Sequence, residues 1–504
     1  MNPLAGTDPA SPSIWRARLA VLGVGGLRVA VGLAASAALV VYAVLAVLHL
    51  RYPFELEWME VGLVDEALRA AEFKSLYVKP TVDYVPFIYG PIWFYAAGAL
   101  SRVFGPGLFS ARLISVLASI GILAILSRFA YRESGSKLAG LLAAGLYAAS
   151  YSLASAFGDL ARVDSLFVFF LVAGLFVLRF HETPRARVWA AALFTLACLT
   201  KQSGLLAFVP IALALFATER WRALWFVGAG VAFMGGSAFL YQVFTRGWFG
   251  YFILWVPRQH PWVTRMWTAF WLEDLMAPLG ITCVVAAFYV VVGCAGRRRL
   301  FYAAAAAGAL AISWTGRLHE GGYPNVIMPG FAVLSLLFAL GVQAGIDGAP
   351  RPQRRSAAIF FLAAAFAQLG MLAYDPRRLV PSADDRAAGA ALCETLRKVD
   401  GDVFVPAHTT PLARLAGKRP HAQEQAIRDI VDIGGGEAGA DLNAELKAAV
   451  ASHRFAAVVT DTEFFLGDIK YAYQCKPIFT EPERFRPVTG WRVRPETLYL
   501  REAP

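Results

Sequence analysis

Long apolar runs separated by short polar segments fill the first three quarters of the chain, and the pattern then changes. The runs lie near residues 27–50, 108–130, 138–157, 163–180, 188–200, 203–218, 223–245, 275–295, 299–314, 324–345 and 356–374. A helix crossing about 30 Å of hydrocarbon needs roughly 20 apolar residues, so this spacing predicts about eleven transmembrane helices, the shortest of them tilted or distorted. A further apolar stretch, FIYGPIWFYAAGALSRVFG (87–105), reads as a juxtamembrane or re-entrant helix. After residue 374 the pieces GDVFVPAHT, HAQEQAIRDIVDIG, LNAELKAAVASHRFAAVVTD and WRVRPETLYL alternate strand-like and helix-like patterns. They predict a small α/β domain.

Composition sharpens the boundary. The chain has 504 residues, of which 58% are hydrophobic and 16% charged, a polytopic membrane composition. The first 374 residues hold 46 charged side chains, about 12%, and the last 130 hold 37, about 28%. The chain therefore divides into an N-terminal tail (1–26), a membrane domain (27–374) and a polar domain (375–504). The run 27–50 lacks a small-x-small cleavage site and reads as an uncleaved first span. The net charge of +11 splits into +12 before residue 375 and −1 after it. That basicity belongs to loops and membrane lipids, and no nucleic-acid partner is indicated. The cysteines Cys198, Cys283, Cys294, Cys393 and Cys475 show no CxxC spacing; only Cys393 and Cys475 share the polar domain and could pair if it is exported.

Basic residues set the orientation. Clusters at Arg16, Arg18 and Arg28, at Arg128, Arg132 and Lys137, at Arg179, Arg185 and Arg187, at Arg220 and Arg222, at Arg297, Arg298 and Arg299, and at Arg351, Arg354 and Arg355 occupy alternate ends of the runs. Short cytoplasmic loops retain Arg and Lys, which puts these clusters and the N-terminus in the cytoplasm. The assignment holds only if 87–105 is not a full span. A first external loop (51–107), single basic residues at Arg162, Lys201 and Arg317, and the C-terminal domain then face one extracytoplasmic compartment of the plasma (inner) membrane.

Candidate chemistry gathers on that side. ELEWMEVGLVDE (55–66) contains five acidic residues. In a helix starting near Phe54, Glu57 and Glu60 share a face with Val61, Val64 and Leu68, where a desolvated carboxylate can act as a base or hold a cation. Asp65 four residues before Arg69 suits a surface ion pair, and Glu55 and Glu66 suit solvated positions. FGDLARVDSLFVFF places Asp159, Arg162 and Asp164 at the mouth of an apolar run, where charge is expensive and points to function or to a mutually satisfied pair. CLTKQSGLLAFVP sets Lys201 between apolar runs; it either snorkels or offers a point cation to a phosphate, with Arg162 adding planar contacts. The segment 246–271 carries five of the thirteen tryptophans together with Arg258, His260 and Arg265, a composition that suits an interfacial belt or substrate stacking. GRLHEGGYPNVIMPG adds Arg317, His319, Glu320 and Asn325; a lone His with Glu is a weak metal signal. DIGGGEAG lacks the dinucleotide fingerprint.

Taken in order, the acidic loop, LYVKPTVDYVPFIYGPIWFY with Tyr84 and Tyr89, ARVDSLF, LTKQSG and GGYPNVIMPG resemble the GT-C class of polytopic glycosyltransferases. The likeness is to protein O-mannosyltransferases and the lipid A aminoarabinose transferase, glycosyltransferase family 39-like proteins, over most of residues 30–375. The resemblance implies an inverting membrane hexosyl- or pentosyltransferase of the cell envelope. It would use a polyprenyl-phosphate-sugar donor and a glycan, lipid or protein acceptor. By position, the base is Glu60 or Glu57, Asp164 matches the acidic residue after AR, and Lys201, Arg162 and Arg258 serve the donor phosphate. Tyr84, Tyr89, His260, Arg317, His319, Glu320 and Asn325 are candidate substrate contacts. Relatives carry an Asp-Glu pair where this chain reads Glu60-Val61, with Glu57 one turn earlier, so the choice between the two carboxylates stays open. An acidic residue that relatives place near Pro91 has no counterpart, which leaves a divalent cation as an open expectation and metal ligands unassigned. A transporter or flippase of a lipid-linked sugar is the alternative, although the chain shows no internal repeat.

Overall fold

A computed structural model describes residues 12–407, 409–461, 469–479, 481 and 483–501. Each of the eleven apolar segments contains a helix, although the one in 138–157 ends at Ala149. By length and composition, five helical stretches among the described residues can cross a membrane: Gly23–Leu50, Leu108–Ser134, Gln202–Phe244, Met266–Gly293 and Pro324–Gly348. The bent pair Arg354–Met371 and Pro376–Arg397 makes a sixth if it is one span. Other segments are shorter because their caps sit close together. Ser136 caps the Lys137–Ala149 helix through Ala139 N, and Thr183 caps Pro184–Thr200 through Ala186 N. The first helix runs Pro12–Leu50, and its membrane-length apolar stretch begins at Gly23. Residues 1–11, and the side chains of Arg16 and Arg18, lie outside the described set.

The 87–105 stretch contains a helix, Ile92–Phe104, of 13 residues. At 1.5 Å per residue it is roughly 20 Å long, too short to cross. It packs against the Glu60–Ala71 helix. Inside the bundle, Pro324–Gly348 is the most enclosed span, at 94% buried, and forms its axis. At one end Glu133 pairs with Arg179 and Arg298, and Arg187 pairs with Glu219. Members of two separate basic clusters, Arg179 and Arg298, thus meet at Glu133.

The C-terminal region closes the other end. Its sheet has strands β1 (Val403–Phe404), β2 (Ala457–Thr460), β3 (Tyr473–Pro477) and β4 (Thr497–Arg501), in the order β1-β2-β4-β3. The β1–β2 pair is parallel and the other two are antiparallel. Helices Ala383–Arg397, Glu424–Val431 and Gly436–Ala451 flank it, the first opened by a Ser382–Asp385 capping box. Cys393 and Cys475 are both free, the first buried and the second exposed. The domain is tied to the first external loop by His421, whose two ring nitrogens lie 2.8 Å from Asp83 and 3.1 Å from Asp402. Phe485 packs edge-on against Phe54 at 5.3 Å.

Candidate active site

The site begins with a buried knot. The helix carrying the acidic stretch starts at Glu60, not Phe54, so Glu57 sits in the preceding turn and the two carboxylates do not share a helix face. Glu60 is fully buried and receives Arg112 through both oxygens, Nε to Oε1 at 2.8 Å and Nη2 to Oε2 at 2.7 Å. Backbone N–H groups of Leu56 and Ala161 donate to the same carboxylate at 2.7 Å each. The remaining Arg112 donors reach the carbonyls of His49, Tyr52 and Phe54. The guanidinium and these donors hold the Glu60 carboxyl below its ordinary range against the opposing effect of burial.

That knot positions two neighbours. Leu56 precedes Glu57 and Ala161 precedes Arg162, so fixing both backbones to Glu60 brings Glu57 and Arg162 face to face. Arg162 Nη1 donates to Glu57 Oε2 at 3.3 Å and Nη2 donates to the Tyr89 hydroxyl at 3.1 Å. Met59 N also donates to Glu57 Oε2, at 3.2 Å. Both contacts use Oε2, whereas Oε1 faces Gly490 of the C-terminal domain. Burial dominates over Arg162 and pushes Glu57 up to about 7.

Tyr89 reaches this point because Gly90 touches the backbone of the next corner. A Cβ on Gly90 would lie 2.0 Å from the Leu199 carbonyl oxygen, so no side chain fits there. That contact sets Tyr89 beside the corner bearing Lys201. Lys201 Nζ lies 2.8 Å from Asp164, the first residue of the Asp164–Phe180 helix. Arg162 Nε is 4.0 Å from the same carboxylate, and buried Asn325 interacts with it from the opposite loop. Buried Glu57, Arg162, Asp164 and Asn325 therefore form one alternately charged chain with the half-buried Lys201 and Tyr89.

The other candidates stand apart from it. Tyr84 donates to the Leu76 carbonyl and lies under Arg69 at 4.2 Å. Asp65 meets Arg414 at 3.6 Å, and Arg69 turns to Ser75. Glu66, expected in solvent, is fully buried and accepts from Phe87 N at 3.2 Å; Glu55 is buried as well. Arg258 is exposed at the end of a short helix. His260 lies 3.6 Å from Asp429 and close to the Glu320 carbonyl, and burial lowers its pKa. Arg317 pairs with Asp274 at 2.7 Å, His319 packs beside Trp262, and the Glu320 side chain is exposed. The loop instead contributes Tyr323, close enough to Glu57 for the carboxylate to raise its pKa.

Sequence reading missed Arg112, Tyr323, Gly490 and the helix bearing Asp429. Arg112 carried a signal, a cation near the start of the 108–130 run and far from the Arg128 cluster at its other end. Among the described residues no group of three or more His, Cys, Asp or Glu could hold a metal ion. The site carboxylates already face Arg162 and Lys201, and this donor set does not fit a divalent cation.

A helical bundle with an acidic loop and an α/β cap over it makes up this fold, which is GT-C-like. The resemblance is confirmed at two levels. The family described as dolichyl-phosphate-mannose-protein mannosyltransferase matches residues 86–246, a stretch that includes Tyr89, Arg162, Asp164 and Lys201. The structure of ArnT from Cupriavidus metallidurans bound to undecaprenyl phosphate superposes with a TM-score of 0.59 at 14% identity, covering 94% of this chain and 98% of that one. The apo state of the same protein gives 0.57 at 13% identity, covering 93% and 97%. No curated protein matches the chain.

Proposed function

We propose that this protein transfers a sugar from a polyprenyl-phosphate-linked donor to an acceptor hydroxyl or amine on the extracytoplasmic face of the plasma membrane. The observation that carries the reading is Glu57, a buried carboxylate poised near pH 7 beside a buried arginine, next to the Lys201–Asp164 corner. The matched family and the ArnT fold, one crystallised with undecaprenyl phosphate, support the same class of donor.

The chemistry assigns one base and no acid. Glu57 Oε1 takes the acceptor proton as the acceptor attacks the anomeric carbon. The bond from that carbon to the phosphate oxygen breaks on the opposite face, inverting configuration, and the electron pair leaves on the phosphate. A phosphate leaves without protonation, and positive charge aimed at it stabilises the transition state. Lys201 supplies that charge by turning from Asp164 toward the phosphate, with Arg162 beside it. Glu60 does not act as the base, because its lone pairs are committed to Arg112, Leu56 and Ala161; it is a positioning residue.

The test is release of polyprenyl phosphate from a panel of polyprenyl-phosphate-linked hexoses and pentoses by the purified full chain in nanodiscs. Turnover of at least one donor that disappears in Glu57→Gln is expected. Transport of a lipid-linked sugar across vesicles with no glycosidic bond broken, unaffected by Glu57→Gln, would overturn the reading.

A further inference from the structure

The C-terminal domain does more than cover the site. Thr489 N donates to the Leu56 carbonyl at 3.2 Å, and Gly490, at φ +74°, lies so close to Glu57 that a Cβ there would sit 2.6 Å from its Cγ. The next residue, Trp491, meets Trp58, the neighbour of Glu57, at 5.8 Å in an edge-on arrangement. Gln423 Nε2 donates to the Trp58 carbonyl at 3.3 Å, which brings the Glu424–Val431 helix to the same edge. From that helix Arg428 lies 5.5 Å over the Trp491 ring and 3.1 Å from Glu424. Trp491 remains 51% exposed.

Three features define what such a surface takes. An indole held by Trp58 and Arg428 offers a rigid apolar face. Arg428 supplies guanidinium donors at its rim, and buried Glu424 holds that side chain in place. Arg492, paired with Glu483, and Arg494, paired with Glu496, follow Trp491 in the chain and border that face with paired charges. A flat C–H face ringed by hydroxyls is the surface of a sugar.

We propose that Trp491 and Arg428 form an acceptor subsite, and that the acceptor is a carbohydrate stacked on Trp491 with one hydroxyl directed to Glu57. This rests on the glycosyltransferase reading and adds the acceptor's chemical class and the C-terminal domain's part in choosing it. In the step itself the hydroxyl proton passes to Glu57, the oxygen bonds to the anomeric carbon, and the phosphate departs with the electron pair.

The experiment uses the full chain in nanodiscs and two probes. Saturation-transfer NMR reports binding of methyl glycosides of glucose, mannose and galactose, and a separate titration reports binding of undecaprenyl phosphate. At least one glycoside is expected to bind, roughly tenfold more weakly in Trp491→Ala and Arg428→Gln, and closer to wild type in Trp491→Phe. Undecaprenyl phosphate binding should be unchanged in these variants and lost in Lys201→Ala. Glycosides that fail to bind, or bind regardless of Trp491, while the lipid phosphate still depends on Lys201, would overturn the subsite and leave the donor reading standing. Trp491-dependent binding of a serine-containing peptide in place of the glycosides would overturn it in favour of a protein acceptor. Loss of Lys201-dependent lipid phosphate binding would remove the reading on which both rest.

Discussion

Glu57 and Glu60 are separated by two residues, are both buried and each face an arginine, yet the two environments are opposites. Around Glu60 a planar guanidinium binds both oxygens, and two short backbone hydrogen bonds with a longer one from Glu57 N at 3.4 Å complete the set. Around Glu57 a single oxygen carries a 3.3 Å contact to Arg162 and one backbone N–H. Burial alone therefore does not mark a catalytic carboxylate. The number and geometry of its partners decide whether desolvation is compensated, as at Glu60, or stored as a raised pKa, as at Glu57.

The largest expected effect comes from breaking the compensated environment. Arg112→Ala strands a buried carboxylate and should lower stability by about 3–5 kcal/mol, read as a fall in Tm and in recovery of folded protein from detergent. Glu60→Gln should destabilise less, because its amide retains an acceptor. Glu57→Gln should do the reverse, leaving Tm at or above the wild-type value while transfer falls roughly 10²- to 10⁴-fold. The sign for stability follows from linkage. A folded pKa near 7 against an ordinary value of 4.5 means that the folded state binds the proton more tightly. Stability falls as pH rises through that window, and the amide removes the loss.

Lys201→Ala comes next. Losing one charge-assisted contact of about 1.5–3 kcal/mol should weaken polyprenyl phosphate binding and slow transfer, with a smaller fall in Tm than Arg112→Ala because Asp164 keeps Arg162 and Asn325. Gly490→Ala is smaller: strain of roughly 1–3 kcal/mol at the contact should displace Glu57 and reduce transfer several-fold. The smallest and most diagnostic effect is on the pH profile. Transfer should rise with pH through about 7 as Glu57 loses its proton. In Arg162→Gln that limb should move to higher pH, because the guanidinium lowers the Glu57 pKa; an unmoved limb would assign it to another group.

The helical segments were legible because each apolar run is long and its breaks carry caps and basic residues. The soluble α/β domain was legible from the change in charge density. The site residues Arg162, Asp164, Lys201 and Glu57 could be named because charges beside hydrocarbon are rare enough to notice. Their partners could not. The pairing of Glu60 with Arg112 spans 52 residues, and nothing in the local pattern separates a carboxylate with four partners from one with two. Glu66 was misread for the same reason, since its burial depends on Phe87 folding back onto it. Gly490 and Trp491 were hidden still more deeply, in an irregular stretch whose meaning comes only from resting on Glu57 and Trp58.

The central claim is that Glu57 takes the proton and Glu60 holds the scaffold. Single-turnover release of polyprenyl phosphate by Glu57→Gln and Glu60→Gln, measured on protein shown to be folded, tests it most directly. The account predicts a rate lowered by at least roughly 10² in Glu57→Gln, with Glu60→Gln retaining measurable turnover in proportion to its folded fraction. Wild-type rates in Glu57→Gln, with none in equally well-folded Glu60→Gln, would contradict it.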